Sequence, residues 1–233
     1  MVKGVCVMEL DVVSWMGELC RKLSERFGKR LLFVGLQGSR QRGEAREDSD
    51  IDVVVVLDRV ETEDLAAYRS LLRGMPQGGL ACGFICGLRE LRGWPGYDLV
   101  ALSRDTKGYY GDLLALLPPL GREDELTCVQ VGAANLYHAA CHTLLFGELE
   151  PQELRGLYKS AFFLLRMDHA LRTGEYVPTR KELLEKLRGA RRQVLLDEAG
   201  TGGALQRAEY EERLGRLIGL CGEILQKGPE TCR

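Results

Sequence analysis

Residues 35–58, GLQGSRQRGEAREDSDIDVVVVLD, combine a glycine-serine turn, a charged loop and a run of four valines. The run Val53–Val56 predicts a buried β-strand, because β-branched residues favour strands. Asp50 and Asp52 precede the run and are two residues apart, so an extended chain places both carboxylates on one face. Two carboxylates this close both stay ionised only beside a cation. The stretch therefore predicts a divalent-metal site at the start of a strand.

The turn Gly38-Ser39 follows another apolar segment that is expected to be a strand. Glycine lets backbone N–H groups approach an anion, and the serine hydroxyl adds a further donor. Proteins bind Mg²⁺ through carboxylates together with substrate phosphates. We therefore predict that Gly38 and Ser39 contact nucleotide phosphates and that Asp50 and Asp52 bind Mg²⁺.

The spacing Gly38-Ser39, ten residues, Asp50-Ile51-Asp52 and then four valines resembles the signature of the nucleotidyltransferase superfamily. That superfamily includes DNA polymerase β, kanamycin nucleotidyltransferase and the minimal nucleotidyltransferases. The resemblance implies an enzyme with two Mg²⁺ ions that moves a nucleoside monophosphate, AMP from ATP, to an acceptor hydroxyl and releases pyrophosphate. A non-catalytic nucleotide-binding module, of the regulatory or toxin–antitoxin type, is the alternative.

The resemblance also implies a third carboxylate, carried by a later strand, that holds metal and accepts the proton of the acceptor hydroxyl. Asp98 is the first choice, because it opens the apolar segment 97–105, which is expected to be a strand. Asp105, at the other end of that segment, and Glu90 remain alternatives.

Three basic residues are candidates for binding the triphosphate. Arg40 and Arg42 follow Ser39 directly, although a solvated loop would explain them equally well. Lys159 lies among apolar residues of a predicted helix. In the antibiotic enzymes that the chain resembles, basic residues of the second domain reach the phosphates; the alternative for Lys159 is a surface lysine whose stem lies on apolar surface.

The fold class that we predict is α+β. A small mixed-sheet catalytic domain is expected over residues 1–118 and a helical bundle over residues 119–233, where four segments show helical periodicity. This bundle resembles the domain that follows the catalytic domain in antibiotic nucleotidyltransferases and in nucleotidyltransferase–HEPN proteins. The sequence predicts strands at 30–39, 49–58, 78–88 and 97–105, and helices at 9–27, 61–74, 122–149, 151–174, 179–200 and 204–228.

The composition of the chain argues against some classes of binding partner. The net charge of −2 argues against a nucleic-acid or membrane-surface partner, and no apolar run approaches the ~20 residues that span a bilayer. The expected acceptor is a small molecule such as an aminoglycoside, for which Glu148, Glu150 and Glu153 are candidate contacts, or a protein. The simpler explanation of these three acidic residues is a solvated cluster at the ends of helices. A homodimer through the helical half is plausible.

Eight cysteines occur without a CxxC pair, and most have apolar neighbours. We expect them to be small buried side chains in a reducing environment. The N-terminus lacks the pattern of a cleaved signal peptide. Together these features predict a cytoplasmic protein.

Overall fold

The computed structural model describes residues 10–148, 150–199 and 205–226. None of the helices in these ranges is long and apolar enough to cross a membrane.

The described chain forms two compact units. The first runs to Pro95 and is completed by Leu102–Pro119, and the second consists of Gly96–Ala101 and the chain from Leu120 onward. Gly96–Ala101 is the first part of a helix that ends at Asp105. The rest of that helix belongs to the first unit, so the helix contributes residues to both units.

The first unit contains a mixed four-stranded sheet, as the sequence predicted. Its strand order is β3-β2-β1-β4. The second strand pairs antiparallel with the first and parallel with the third, and the fourth pairs antiparallel with the first. The strands are β1 (Leu31–Gln37), β2 (Ile51–Leu57), β3 (Ala81–Gly87) and β4 (Lys107–Tyr110).

Six helices accompany this sheet. The first begins at the cap Asp11, whose carboxylate accepts hydrogen bonds from the backbone N–H groups of Val13 and Ser14. The helices are α1 (Val12–Phe27), α2 (Gly38–Arg42), α3 (Thr62–Arg73), α4 (Leu88–Gly93), α5 (Gly96–Asp105) and α6 (Leu113–Leu116), and short 3₁₀ turns occupy Gly28–Arg30 and Gly78–Leu80.

The valine run is buried on both faces of β2. Ile51, Val53, Val55 and Leu57 pack in one cluster with side chains of α1 such as Leu19. The intervening Val54 and Val56 are also inaccessible to solvent. A strand buried on both sides requires continuous apolar residues, which is why this run departs from simple alternation.

The prediction of a strand at 97–105 is wrong, because this segment is helix α5. Pro95 occupies its cap position and Asp98 lies in its first turn, and both features favour a helix start. The adjacent residues Leu99 and Val100 are both buried. A short apolar run such as this one is compatible with a buried strand and with a buried helix, so the sequence pattern does not distinguish them. Asp98 therefore does not open a strand.

The second unit is helical, as predicted, but the third predicted helix is interrupted. Two separate helices occupy the segment 179–200, where one was expected. The helical hydrogen bonding is interrupted at Leu187 and Arg188, and Gly189 has a φ of 57°. A residue with a positive φ has a left-handed backbone conformation and cannot continue a right-handed α-helix. The helices are α7 (Arg122–Phe146), α8 (Pro151–Thr173), α9 (Arg180–Lys186), α10 (Gly189–Ala199) and α11 (Arg207–Gln226).

The core of the second unit is built largely from α7, α8 and α11. Tyr158 and Leu165 of α8 are fully buried and share a cluster with Ala133 of α7 and Leu214 of α11. The Tyr158 hydroxyl stays satisfied inside this core by donating toward the Asp197 carboxylate at 3.3 Å and the Arg213 carbonyl at 3.1 Å. Burial raises the pKa of this hydroxyl, so it remains protonated across the neutral range.

The described cysteines are not joined by disulfide bonds, and their environments only partly match the expectation of burial. Burial raises the pKa of Cys86 to about 11 and that of Cys221 to about 12, which keeps both protonated at neutral pH. Cys82, by contrast, is exposed. Cys6 and Cys232 lie outside the described residues.

Gly83 is required by the pairing of β2 with β3. Its φ is 110°, and a β-carbon there would overlap the backbone of its strand partner Val53. We expect Gly83→Ala to lower the free energy of unfolding by at least about 2 kcal/mol, through backbone strain together with steric overlap. Gly79→Ala is the matched control, because that site is open and carries no positive φ. Urea unfolding of both variants checks this, and equal midpoints would contradict it.

Candidate active site

The candidate site is built where β1 passes into α2 beside the start of β2. Gln37, the last residue of β1, pairs with Asp52 of β2. Gly38 follows with a φ of 74°, and a β-carbon on it would overlap the Asp52 carboxylate. Only glycine lets the backbone come this close to the acid. Gly38 and Asp52 therefore lie close together, while the phosphate-binding role of Gly38 and the metal-binding role of Asp52 stay predictions.

The two aspartates differ in how they are held. Asp52 lies inside β2, half-buried, with Gln37 on one neighbouring strand and Cys82 on the other. Asp50 precedes β2, which begins at Ile51, and is exposed. One carboxylate is therefore fixed by strand pairing, while the other lies at the end of a loop.

The donor set fits a hard divalent cation only in part. Carboxylate oxygens are the ligands that Mg²⁺ prefers, and the ion usually completes its shell with water and substrate phosphates. Among the described residues, no group of three or more His, Cys, Asp or Glu side chains could hold an ion together. Asp50 and Asp52 thus suit a cation that arrives with a nucleotide.

Arg40 contacts the backbone of the charged loop. Its Nε donates to the carbonyls of Ser49 at 3.0 Å and Asp50 at 3.2 Å, and its Nη2 donates to those of Glu47 at 3.2 Å and Ser49 at 2.6 Å. The sequence analysis proposed this arginine for phosphate binding and did not anticipate these carbonyl partners.

Arg42 forms ion pairs within the first unit. It lies 3.2 Å from Glu44 and 3.1 Å from Asp105, and its side chain is only 6% exposed. The Asp105 side chain is 12% exposed. Arg42 and Asp105, which were candidates for separate roles at the nucleotide, therefore neutralise each other's charge across 63 residues of sequence.

The strand beside Asp52 supplies no third carboxylate. β3 pairs Cys82 with Asp52, and its flanking residues are Ala81 and Gly83. Glu90 follows the far end of β3, where Gly87 pairs with Leu57, so it lies at the opposite end of the strand from Asp52.

Asp98, the first choice for the third carboxylate, lies in the first turn of α5, among the residues that count with the second unit. Lys159 is exposed on α8 in that same unit. The roles of both residues remain predictions.

The second unit contains a cationic cluster to which the sequence analysis assigned no role in ligand binding. The Arg166 guanidinium lies 4.8 Å from the ring centroids of Phe162 and of Phe163, and that of Arg180 lies 4.3 Å from Phe162. Arg166 is 3% exposed. An arginine inside the apolar run AFFLLRM is the sequence signal for this cluster, since arginine is rarely buried without partners.

The acidic residues proposed for a cationic acceptor have a structural explanation. Glu150 is the cap residue of α8 and Glu153 lies in its first turn. Acidic side chains are favoured at helix N-termini by the helix dipole. Glu148, between α7 and α8, is exposed like the other two, as expected for a solvated cluster at helix ends.

One family model matches the part of the chain that contains this geometry. Residues 17–91, about a third of the chain, match the family model described as "Nucleotidyltransferase domain". The match runs from α1 into α4 and contains Gly38, Asp50 and Asp52. No curated protein shows a significant sequence match to the chain.

Among solved structures, the fold is similar to that of the spectinomycin adenyltransferase AAD(9) from Enterococcus faecialis, which was solved with ATP and spectinomycin. The TM-score is 0.56 at 16% sequence identity, and the likeness covers 90% of this chain and 99% of the other. At this identity the likeness establishes the fold, α+β with a following helical region. The HEPN-like character of the helical half stays a prediction.

We expect Gly38→Ala to abolish binding of Mg-nucleotide, because the new methyl group must displace the Asp52 carboxylate. Gly43→Ala is the matched control: Gly43 has nearly the same φ, 71°, but open space around it. Both variants should lose about 1–2 kcal/mol of stability from left-handed strain. Calorimetric titration with Mg-ATP separates the two effects, and equal affinity in both variants would exclude the steric explanation.

Proposed function

Since residues 17–91 are a nucleotidyltransferase domain, as the sequence predicted, we propose that this chain transfers AMP from ATP to an acceptor hydroxyl in a Mg²⁺-dependent reaction. The observation that carries the proposal is the close approach of Gly38 to Asp52, with Asp50 two residues earlier. This arrangement places the backbone of Gly38 beside the Asp52 carboxylate of β2, a strand whose other residues are apolar.

In the proposed reaction, Asp50 and Asp52 hold two Mg²⁺ ions, and Gly38 and Ser39 contact the phosphates. When held by these carboxylates, Mg²⁺ would supply neutralising charge to the phosphate oxygens and would favour ionisation of the attacking hydroxyl. The acceptor oxygen forms a bond to the α-phosphorus while the bond from that phosphorus to the bridging oxygen breaks, and pyrophosphate leaves with the electron pair. A carboxylate accepts the hydroxyl proton, and Asp98 is our first candidate for it.

The proposed acceptor is a small hydroxylated molecule of the aminoglycoside or aminocyclitol type. The support is the fold likeness to an adenyltransferase solved with spectinomycin, which extends over 90% of this chain and so includes the helical part. A protein acceptor is the alternative within the same chemistry.

A second candidate function is a nucleotide-binding module without transfer activity. The observation that favours it is β3, where Cys82 stands beside Asp52 and no carboxylate occurs along the strand. Such a module would bind Mg-ATP through Asp50 and Asp52 and leave the α-phosphorus intact.

We further propose that the protein works in the cytoplasm, as a homodimer and without nucleic acid. The described cysteines, which are not joined by disulfide bonds, support a reducing location. Leu145 and Phe146, at the end of α7, are 70% and 73% exposed and support a contact between copies. The net charge of −2 supports the absence of a nucleic-acid partner.

The transfer proposal is tested with ATP labelled at the α-phosphate, Mg²⁺ and a panel of aminoglycosides and aminocyclitols, or lysate proteins. We expect label on an acceptor, and we expect Asp50→Asn or Asp52→Asn to reduce the rate more than about a thousandfold, since loss of metal-supported charge stabilisation costs several kcal/mol. Asp48→Asn, which removes an exposed carboxylate from the same loop, should keep the wild-type rate.

Full transfer by Asp52→Asn would exclude this mechanism. Mg-ATP binding by the wild-type protein without label on any acceptor would favour the nucleotide-binding module instead.

The third carboxylate is identified by comparing Asp98→Asn, Asp105→Asn and Glu90→Gln in the same assay. We expect Asp98→Asn to lower kcat by about 10²–10⁴ with little change in KM for ATP, which is the signature of a lost general base. Asp105→Asn should instead lower Tm, because it removes one of the charged partners of the buried Arg42 side chain. An unchanged kcat in Asp98→Asn would remove Asp98 from the mechanism.

A further inference from the structure

The two aspartates of the candidate site are positioned by different parts of the fold. Asp52 is held between β1 and β3 by the pairs Gln37–Asp52 and Asp52–Cys82. Asp50 lies before the first residue of β2 and outside the strand pairing. A contact outside the strand pairing can therefore influence where Asp50 lies relative to Asp52.

Arg40 supplies that contact. Its guanidinium donates to the carbonyl of Asp50 itself and to those of Glu47 and Ser49, at 2.6–3.2 Å. The side chain is half-buried and projects from α2, the same short helix whose first residue, Gly38, touches the Asp52 carboxylate. Through Arg40, the element that contacts Asp52 also holds the backbone of Asp50.

The rest of the loop is closed onto the same helix. The Glu44 amide donates to the Ser39 carbonyl at 2.9 Å, which joins the start of the loop to α2. A turn follows in which the Ser49 amide donates to the Arg46 carbonyl and the Arg46 amide donates to the Ser49 hydroxyl. The loop is thus anchored at its start by backbone and at its end by Arg40.

We propose that Arg40 is a positioning residue that sets the place of Asp50 relative to Asp52 and thereby the affinity of the site for the divalent cation. This inference rests on the proposed function, since it concerns the same two carboxylates. A planar guanidinium can donate to several carbonyls at once with fixed geometry, whereas a lysine ammonium is a single flexible point of charge. Groups that orient metal ligands typically change metal affinity 10–100-fold when they are removed.

This role differs in a measurable way from the phosphate-binding role that the sequence predicted for Arg40. A phosphate ligand contributes to nucleotide affinity whether or not metal is present. A positioning residue for the carboxylates contributes only to the metal-dependent part. Nucleotide affinity in EDTA and its dependence on Mg²⁺ therefore distinguish the two roles without reference to catalysis.

The experiment compares the wild-type protein with Arg40→Ala, Arg40→Lys and Arg46→Ala. Arg46→Ala is the matched control, because Arg46 is exposed in the same loop and contributes its backbone, not its side chain, to the turn. Binding of a fluorescent ATP analogue is measured in EDTA and across a Mg²⁺ titration, with Tm recorded for each variant.

We expect Arg40→Ala to need at least about tenfold more Mg²⁺ for half-maximal binding, with unchanged affinity in EDTA. Arg40→Lys should fall between Arg40→Ala and the wild type, and Arg46→Ala should match the wild type. Millimolar guanidinium, but not ammonium, should partly restore Arg40→Ala. If Arg40→Ala does not fold, the Mg²⁺ dependence of Arg40→Lys decides the question.

An unchanged Mg²⁺ dependence in the folded Arg40 variants, or an equal loss of affinity with and without metal, would overturn the inference. Wild-type protein that binds Mg-nucleotide but transfers nothing would refute the proposed transfer and leave the role of Arg40 standing. Wild-type protein without Mg²⁺-dependent nucleotide binding would overturn both.

Discussion

The architecture of the candidate site depends on one close approach, that of the Gly38 backbone to the Asp52 carboxylate. The antiparallel register of β1 and β2 creates it, because that register sets Gln37 opposite Asp52 just where β1 ends. A shift of one residue would turn Asp52 and Val54 to the other face of the sheet, among the apolar side chains that pack on α1. Since valines occupy both faces of β2, Asp52 is the residue that distinguishes this register from one shifted by a single position.

The two arginines that precede the charged loop, Arg40 and Arg42, have partners within the first unit. Arg40 is bound to carbonyl groups, and Arg42 forms ion pairs with Glu44 and Asp105. Burying a guanidinium is costly unless its donors find acceptors, and the loop provides them. The outcome is a segment that is highly charged in sequence yet rigidly connected, with Asp50 left exposed at its end. Exposure of that carboxylate suits a group that must exchange water for a ligand.

Sequence reasoning succeeded where the determinants are local. The valine run directly follows Asp52 in the chain, and it predicted strand β2 correctly, whereas the nucleotide site beside that strand stays a prediction. Sequence reasoning failed where the contacts of a residue depend on partners that are distant in the chain. The pairing of Arg42 with Asp105 spans 63 residues, and no local pattern encodes it. Segment 97–105 was assigned to a strand because a short apolar run fits either structure, and tertiary packing of Leu99 and Val100 decided for a helix. Residue-level roles such as that of Asp98 depend on such packing and could not be read from spacing.

The order of the strands has a consequence for how the first unit can be dissected. β4, at Lys107–Tyr110, pairs with β1, although it follows the excursion of the chain at Gly96–Ala101 and lies beyond residue 91, where the family match ends. A fragment cut at that residue would keep both aspartates but lose the strand that covers the outer edge of β1. Val34, Gly35 and Leu36, all buried in the intact unit, would then present unpaired N–H and C=O groups to solvent. An open apolar edge of this kind promotes association between chains, so such a fragment would aggregate before its chemistry could be measured.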